Sequence, residues 1–313
     1  MRVLFWGTPE FATAPLRALL GEGFDVIGVV TQPDKATGRS RQLTAPPVKE
    51  IALEEKIPCF QPAKPKEEEF LSTIEAMEPD ISIVVAYGHI LPKRVIELPR
   101  LGTLNIHASL LPLLRGAAPI QAAIRHGFRQ TGVTIMRMVP ALDAGPIILT
   151  SAIPILEDET YGELQNRLSE LGAQTLIEAL ALIDMGAASE VDQDDSIATY
   201  APKVTRDDAK VDWTLSADEV SRIIRAYDPK PSAFTTLSGN DVKLFGARIP
   251  GESGETLRAG EPGEVIDIRD GIFVACRDSS ICVRDVQPSG RTRMQATEWA
   301  RGRGISIGDR FGT

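Results

Sequence analysis

The sequence predicts an α/β protein with an open, twisted, mostly parallel, Rossmann-like sheet, followed by a small C-terminal β-barrel domain. Three observations lead there. Apolar strand-like runs alternate with helical patterns from Arg2 to Met185, and such alternation builds a parallel sheet with right-handed crossovers. After Pro229 the pattern changes to short strands separated by Gly and Pro turns, which suggests a small barrel. Between the two, Gly186 to Thr205 is polar, acidic and without helical periodicity, as an interdomain linker is. At 313 residues the chain has room for two domains, because single cores rarely grow past about 250 residues. The expected division is 1–189, a linker at 190–205, and 206–313.

The elements follow in order. Arg2 to Gly7 is a buried strand. Thr8-Pro9-Glu10 reads as a helix start, with Thr8 as N-cap and Pro9 at the first helical position. Asp25 to Thr31 is the next strand. Lys35 to Lys49 is long and polar, carries Lys35, Arg39, Arg41 and Lys49 with no acidic residue, and has few apolar anchors, so a mobile loop is expected. A short helix is expected at 48–56, a strand at 58–61, a charged helix at 64–77 and an apolar central strand at 80–86. A strand at 103–107, a helix at 117–125 and strands at 133–138 and 147–155 come next. Thr160 to Met185 is one long helix with an apolar stripe from Leu164 to Ile183. The second domain opens with a helix capped by Ser216, with Glu219 three residues on. Five strands follow, at 233–237, 242–249, 263–268, 271–276 and 280–286.

Composition narrows the function. The net charge of −9 argues against general nucleic-acid affinity, which needs basic surface to displace counterions. A local basic patch remains compatible with it. Residues 206–313 hold 16 basic and 17 acidic side chains, whereas 1–205 hold 18 and 26, so the second domain is the less acidic. No apolar run approaches the roughly 20 residues of a membrane span, and Met1 leads straight into a strand without a signal-peptide pattern. A cytoplasmic location and no membrane partner are the expectations. Cys59, Cys276 and Cys282 form no metal or redox motif. Cys276 and Cys282 flank an Asp-Ser-Ser turn, and both a facing pair across a hairpin and buried free thiols fit that spacing. His89, His107 and His126 lack metal-ligand spacing, so no metal is expected. The first turn, Gly7-Thr8-Pro9, lacks the Gly-x-Gly-x-x-Gly fingerprint, which discounts a nicotinamide dehydrogenase.

The chemistry concentrates between Leu101 and Asp143. Thr103 to His107 alternates as a strand does, so Asn105 and His107 share a face near the C-terminal end, where open α/β sheets carry their ligands. An amide can donate to a developing oxyanion, and an imidazole can move a proton near neutral pH. Asp143, in a loop with Gly145, could fold back to orient the ring. A histidine after a strand also serves packing, and Asn and Asp also serve turns, so spacing alone leaves both readings open. The Lys35–Lys49 stretch likewise reads as a phosphate grip or as a solvated surface loop.

Four segments settle the choice by resemblance. Asn-Ile-His-Ala-Ser-Leu-Leu-Pro (105–112), Arg-Gly-Ala-Ala-Pro-Ile-Gln (115–121), Thr-Gly-Val-Thr-Ile-Met (131–136) and Leu-Asp-Ala-Gly (142–145) resemble the 10-formyltetrahydrofolate-dependent formyltransferases. The resemblance spans nearly the whole chain in the family's order. It implies that Asn105, His107 and Asp143 are catalytic. It implies that Ser109, Leu110, Leu111 and Pro112 bind folate, with Tyr87 and Gly88 as pocket walls. The co-substrate is then 10-formyltetrahydrofolate, and the barrel is OB-like. The resemblance is strongest to members that formylate the α-amino group of methionyl-initiator tRNA. In those, a basic loop holds the acceptor end. Arg39 is the position carried over to that role, with Arg41, Lys35 and Lys49 beside it, and a monomer is the expected state.

Departures and rivals remain. Leu113 and Leu114 stand where the family usually has Arg and an aromatic. Val139-Pro140-Ala141 replaces a more acidic segment, and Asp228-Pro229-Lys230-Pro231 replaces a Pro-Trp-Pro-Gly entry to the barrel. The alternative activity is N-formylation of a nucleotide amino sugar, which would use the same Asn-His-Asp set. A non-enzymatic RNA-binding protein is the rival of another class, and the intact triad counts against it.

Overall fold

The computed structural model describes residues 1–37, 42–250 and 259–313. The chain divides into two compact units. The first comprises 1–119, 130–153 and 165–201; the second comprises 120–129, 154–164 and 202–313.

The first unit is built on a seven-stranded sheet. Its strands are β1 (Arg2–Gly7), β2 (Asp25–Val30), β5 (Cys59–Phe60), β6 (Ile81–Val85), β7 (Thr103–His107), β8 (Gln130–Arg137) and β9 (Ile147–Pro154). β3 (Lys35–Thr37) and β4 (Gln42–Thr44) form a separate hairpin. The sheet order is β5-β2-β1-β6-β7-β8-β9. β2, β1, β6 and β7 run parallel, and β8 pairs antiparallel with β7. All five residues of β6 are buried, as a central strand covered on both faces requires. Helices α1 (Thr13–Gly21), α2 (Pro47–Glu54), α3 (Glu68–Ala76) and α4 (Lys93–Ile96) follow strands of this sheet, and α5 (Pro119–Arg125) precedes β8. The long helix α6 (Tyr161–Asp184) buries Leu164, Leu168, Leu176 and Leu180, the stripe expected of it. At Gly172 this helix comes so close to the sheet that an added Cβ would lie 3.0 Å from Ile106.

Several expectations change here. Thr8 is not a helix cap. Its hydroxyl donates to the Tyr87 carbonyl (3.0 Å), a short 3-10 turn occupies Glu10–Ala12, and α1 begins only at Thr13. The stretch from Lys35 to Lys49 is not one loop, since β3 and β4 pair and Lys49 lies in α2. Residues 190–201 belong to the first unit, so the read boundary at 189 moves to 201. They are not a free linker. Val191 pairs with Ile147, the Arg115 N–H donates to the Thr199 carbonyl (2.8 Å), and the Ala201 N–H donates to the Arg115 carbonyl (2.7 Å). A polar composition suits a strap whose hydrogen bonds run through its backbone as well as it suits a linker.

The second unit carries α7 (Ala217–Ala226) and an antiparallel sheet. The strands are β10 (Ala233–Leu237), β11 (Asn240–Arg248), β12 (Val265–Ile268), β13 (Ile272–Ala275), β14 (Ser280–Pro288) and β15 (Met294–Gln295), with α8 (Ala296–Arg301) after them. The order is β10-β11-β14-β13-β12, with β15 beside β14. The two edges of this sheet, β12 and β10, are linked by the last residues. The N–H groups of Val265 and Phe311 donate to the carbonyls of Asp309 and Gly263, and the Gly312 N–H donates to the Thr236 carbonyl. Trp213 stacks on Phe311 with ring centroids 5.6 Å apart and donates its indole N–H to Thr235. Cys276 and Cys282 do not face each other. Cys282 pairs with Phe273 across the β13–β14 hairpin, and both thiols are free and buried.

Among the described residues no helix is long and apolar enough to cross a membrane. At α7 the capping box is complete: Ser216 and Glu219 each receive the other's backbone N–H. Ser216→Ala is expected to destabilise the protein by about 1 kcal/mol in chemical denaturation, and an unchanged midpoint would contradict this role for the cap.

Candidate active site

β7 delivers Asn105 and His107 to one face, as the alternation predicts. His107 is buried (5 % exposed) and its ring is bracketed. Nε2 lies 3.0 Å from the Leu114 carbonyl, and Nδ1 lies 3.7 Å from Asp143 Oδ2. A carbonyl only accepts, so Nε2 carries a hydrogen. Burial pushes the imidazole below its ordinary value of 6.5, against the upward pull of the Asp143 carboxylate and the Leu114 carbonyl. Burial thus favours the neutral ring, whose Nδ1 faces Asp143. Asp143 Oδ2 also accepts the Gly116 N–H at 2.8 Å. Asn105 is partly exposed, and among the described residues nothing hydrogen-bonds its side-chain amide. A donor free beside a proton-carrying ring and its carboxylate suits a reaction that builds charge on an oxygen and moves a proton.

The first 180 residues match the Formyl transferase family, and 203–304 match the Formyl transferase C-terminal domain. The chain is 42% identical to "Methionyl-tRNA formyltransferase" from Geobacter sulfurreducens, over 100% of this chain and 97% of that one. It is 44% identical to the protein of the same name from Pseudomonas fluorescens, over 93% and 90%. The chain belongs to the methionyl-tRNA formyltransferase family. Solved structures share the fold at lower identity. HypX from Aquifex aeolicus in complex with tetrahydrofolic acid matches with a TM-score of 0.65 at 21% identity, over 95% of this chain and 46% of that one. The sugar 3N-formyl transferase WlaRD matches with a TM-score of 0.67 at 16% identity, over 93% and 99%.

The 109–112 segment, expected to line the folate side, is held in one tight arrangement. The Ser109 hydroxyl donates to the Leu113 carbonyl (2.6 Å). Thr134 Oγ1 donates to the Ser109 carbonyl (2.7 Å) and accepts the Leu111 N–H (3.1 Å). Leu111 is buried, while Leu110 and Pro112 are partly exposed. Gly132 is required beside them, since an added Cβ would lie 2.1 Å from the Ser151 carbonyl and 2.6 Å from Leu110. These contacts explain the Thr-Gly-Val-Thr segment.

Other residues stand differently from the expectation. The Tyr87 side chain is not an exposed wall. It is 2 % exposed and packs edge-on against Trp6 with centroids 5.3 Å apart, because Ala86 at φ 47° turns the chain back over the core. Its backbone carbonyl accepts from Thr8 and from Gln32. Gly88 (φ 88°) sits so close to Gln32 that a Cβ would lie 2.5 Å from Nε2. His89 is exposed, as a surface residue should be. The Lys49 ammonium is already paired with Asp34 at 2.8 Å, in a site where Gln61 also donates to Asp34, so its charge is matched within the chain. Lys35 is exposed and donates to Gln32. Arg39 and Arg41 lie outside the described residues.

Sequence reasoning gave no place to the side chains of Gln193 and Arg115, which bond each other while Gln193 Nε2 donates to the Asp143 carbonyl. Arg115 stood in a quoted motif but without a role. Gln193 lay in the presumed linker, fifty residues from Asp143, where no local signal could single it out.

Two outcomes test this geometry. Thr134→Val removes both hydrogen bonds under the 109–112 turn and should cost about 1–3 kcal/mol in denaturant unfolding, with weakened folate binding by calorimetry. Burial holds the folded His107 below the 6.5 of the unfolded chain, so its contribution holds above that pH and is lost as pH falls through 6.5 toward the lower folded value. His107→Gln should therefore flatten the stability loss between pH 7.5 and 5.5.

Proposed function

We propose that this protein transfers the formyl group of 10-formyltetrahydrofolate to the α-amino group of methionine esterified to initiator tRNA. The observation that carries the reading is the His107–Asp143 contact, on the strand that also carries Asn105, in a chain akin to methionyl-tRNA formyltransferases from end to end.

The residues divide the chemistry. 10-Formyltetrahydrofolate supplies an activated formyl group. Asn105 donates its amide N–H to the formyl oxygen as negative charge grows there. Because the amide has no partner to give up among the described residues, that stabilisation needs no reorganisation. His107 presents a neutral Nδ1 beside the carboxylate of Asp143. A proton released by the attacking amine is taken up between ring and carboxylate, through a water where needed. Asp143 and the Leu114 carbonyl then hold the imidazolium from both sides. The same proton returns to the folate nitrogen as its bond to the formyl carbon breaks, so the amine loses one proton and the leaving nitrogen gains one. The 109–112 turn and the Gly88 backbone line the folate side.

Arg39, with Arg41 and Lys35 beside it, meets the phosphates of the acceptor end, since guanidinium pairs well with phosphate. A monomer is the state this reading takes, and the cytoplasm is where initiator tRNA is charged and used.

The test offers 10-formyltetrahydrofolate with methionyl-tRNA and, in parallel, with a nucleotide amino sugar. Formylation of the tRNA supports the reading, while formylation of the sugar alone would overturn it. Asp143→Asn should fold normally and lose about 10²–10⁴ in kcat. Arg39→Ala should raise KM for tRNA about tenfold or more and leave KM for folate unchanged.

A further inference from the structure

Asp143 holds an unusual backbone conformation, with φ at 48°. A non-glycine residue rests there only when its surroundings hold it. What holds it is a side chain from the strap. Gln193 Nε2 donates to the carbonyls of Asp143 and Gly145, both at 2.8 Å. Gln193 Oε1 accepts from Arg115 Nε (3.0 Å) and Nη2 (2.8 Å). That guanidinium fork fixes the amide's orientation, because a flipped amide would set its hydrogens against those of Arg115.

Arg115 is 3 % exposed, and its Nη2 also reaches Asp195 at 2.7 Å. It stands between the two residues that touch the catalytic pair: the Leu114 carbonyl accepts from His107, and the Gly116 N–H donates to Asp143. One polar cluster thus grips both sides of the His107–Asp143 contact. Gln193 holds the Asp143 loop, and Arg115 holds the 114–116 loop.

We propose that Gln193 is a positioning residue for formyl transfer, setting the distance between Asp143 and His107 from a framework anchored on Arg115. The inference rests on the catalytic reading of Asp143. It assigns to Gln193 no contact with substrate.

Two substitutions separate positioning from mere support. Gln193→Glu keeps an oxygen for Arg115 but loses the donor to the Asp143 and Gly145 carbonyls. Gln193→Met loses both. If the donor positions Asp143, both variants should melt near the parent, lose about 10–100-fold in kcat and leave both KM values within about threefold. The His107 ring, one of three histidines, is followed by NMR titration in Gln193→Met. Its apparent pKa should fall, as the carboxylate that raises it swings away. In an Asp143→Asn background, measured by single turnover, adding Gln193→Met should cost less than about twofold more.

A Gln193→Glu variant with parental kcat and pH profile would overturn the proposal, as would losses that multiply in the Asp143→Asn background. Failure of both variants to fold would overturn it in favour of a purely structural strap. Near-parental turnover of Asp143→Asn alone would instead sink the catalytic reading, and that result is visible without any change at Gln193.

Discussion

The site depends on one constraint: three consecutive residues must offer a carbonyl to His107 and an N–H to Asp143. Leu114 and Gly116 do this from either side of Arg115. The backbone conformations are demanding, with Leu114 at φ 60° and Gly116 at φ 114°. Gly116 has no alternative, because a Cβ there would lie 2.7 Å from the Ala201 carbonyl. The strap supplies the restraint, since Leu114, Arg115 and Ala118 all donate backbone N–H groups to residues 199–201. Strain at a functional loop is thus offset by hydrogen bonds with a segment some 80 residues away.

Electrostatics follow from that enclosure. Burial favours the neutral imidazole, while the carboxylate next to it favours the charged one. Opposed pressures of this kind leave the ring able to take a proton and release it. Asn105 shares the strand face of His107, and among the described residues no group hydrogen-bonds its amide, which suits a donor for a transient charge. The departures at Leu113 and Leu114 leave this machinery intact, because His107 is met by the Leu114 carbonyl and a carbonyl is present whatever the side chain.

Much of the fold was legible from the chain. The alternation in Thr103–His107, the apolar run of Ile81–Val85, the stripe on α6 and the Ser216–Glu219 cap are local patterns with local causes. The misread positions share a different character. Thr8 carries a cap's chemistry but spends its hydroxyl on the Tyr87 carbonyl. Tyr87 follows a strand end, where pocket walls often lie, yet its ring turns into the core beside Trp6. Residues 190–201 have a linker's composition but bond along the active-site loop.

By itself, the sequence determined the α/β class, the second β-rich domain, and a face on β7 carrying an amide and an imidazole. These follow from periodicity, which acts between neighbours along the chain. The resemblance of its motifs also pointed to Asp143 beside them. Only the tertiary structure decided how Asp143 is held, which loop caps His107, that Lys49 is matched by Asp34, and that the C-terminal tail spans β12 and β10. Each of these joins groups far apart in sequence, and a hydrogen bond or ion pair between them depends on where the folded backbone brings their atoms.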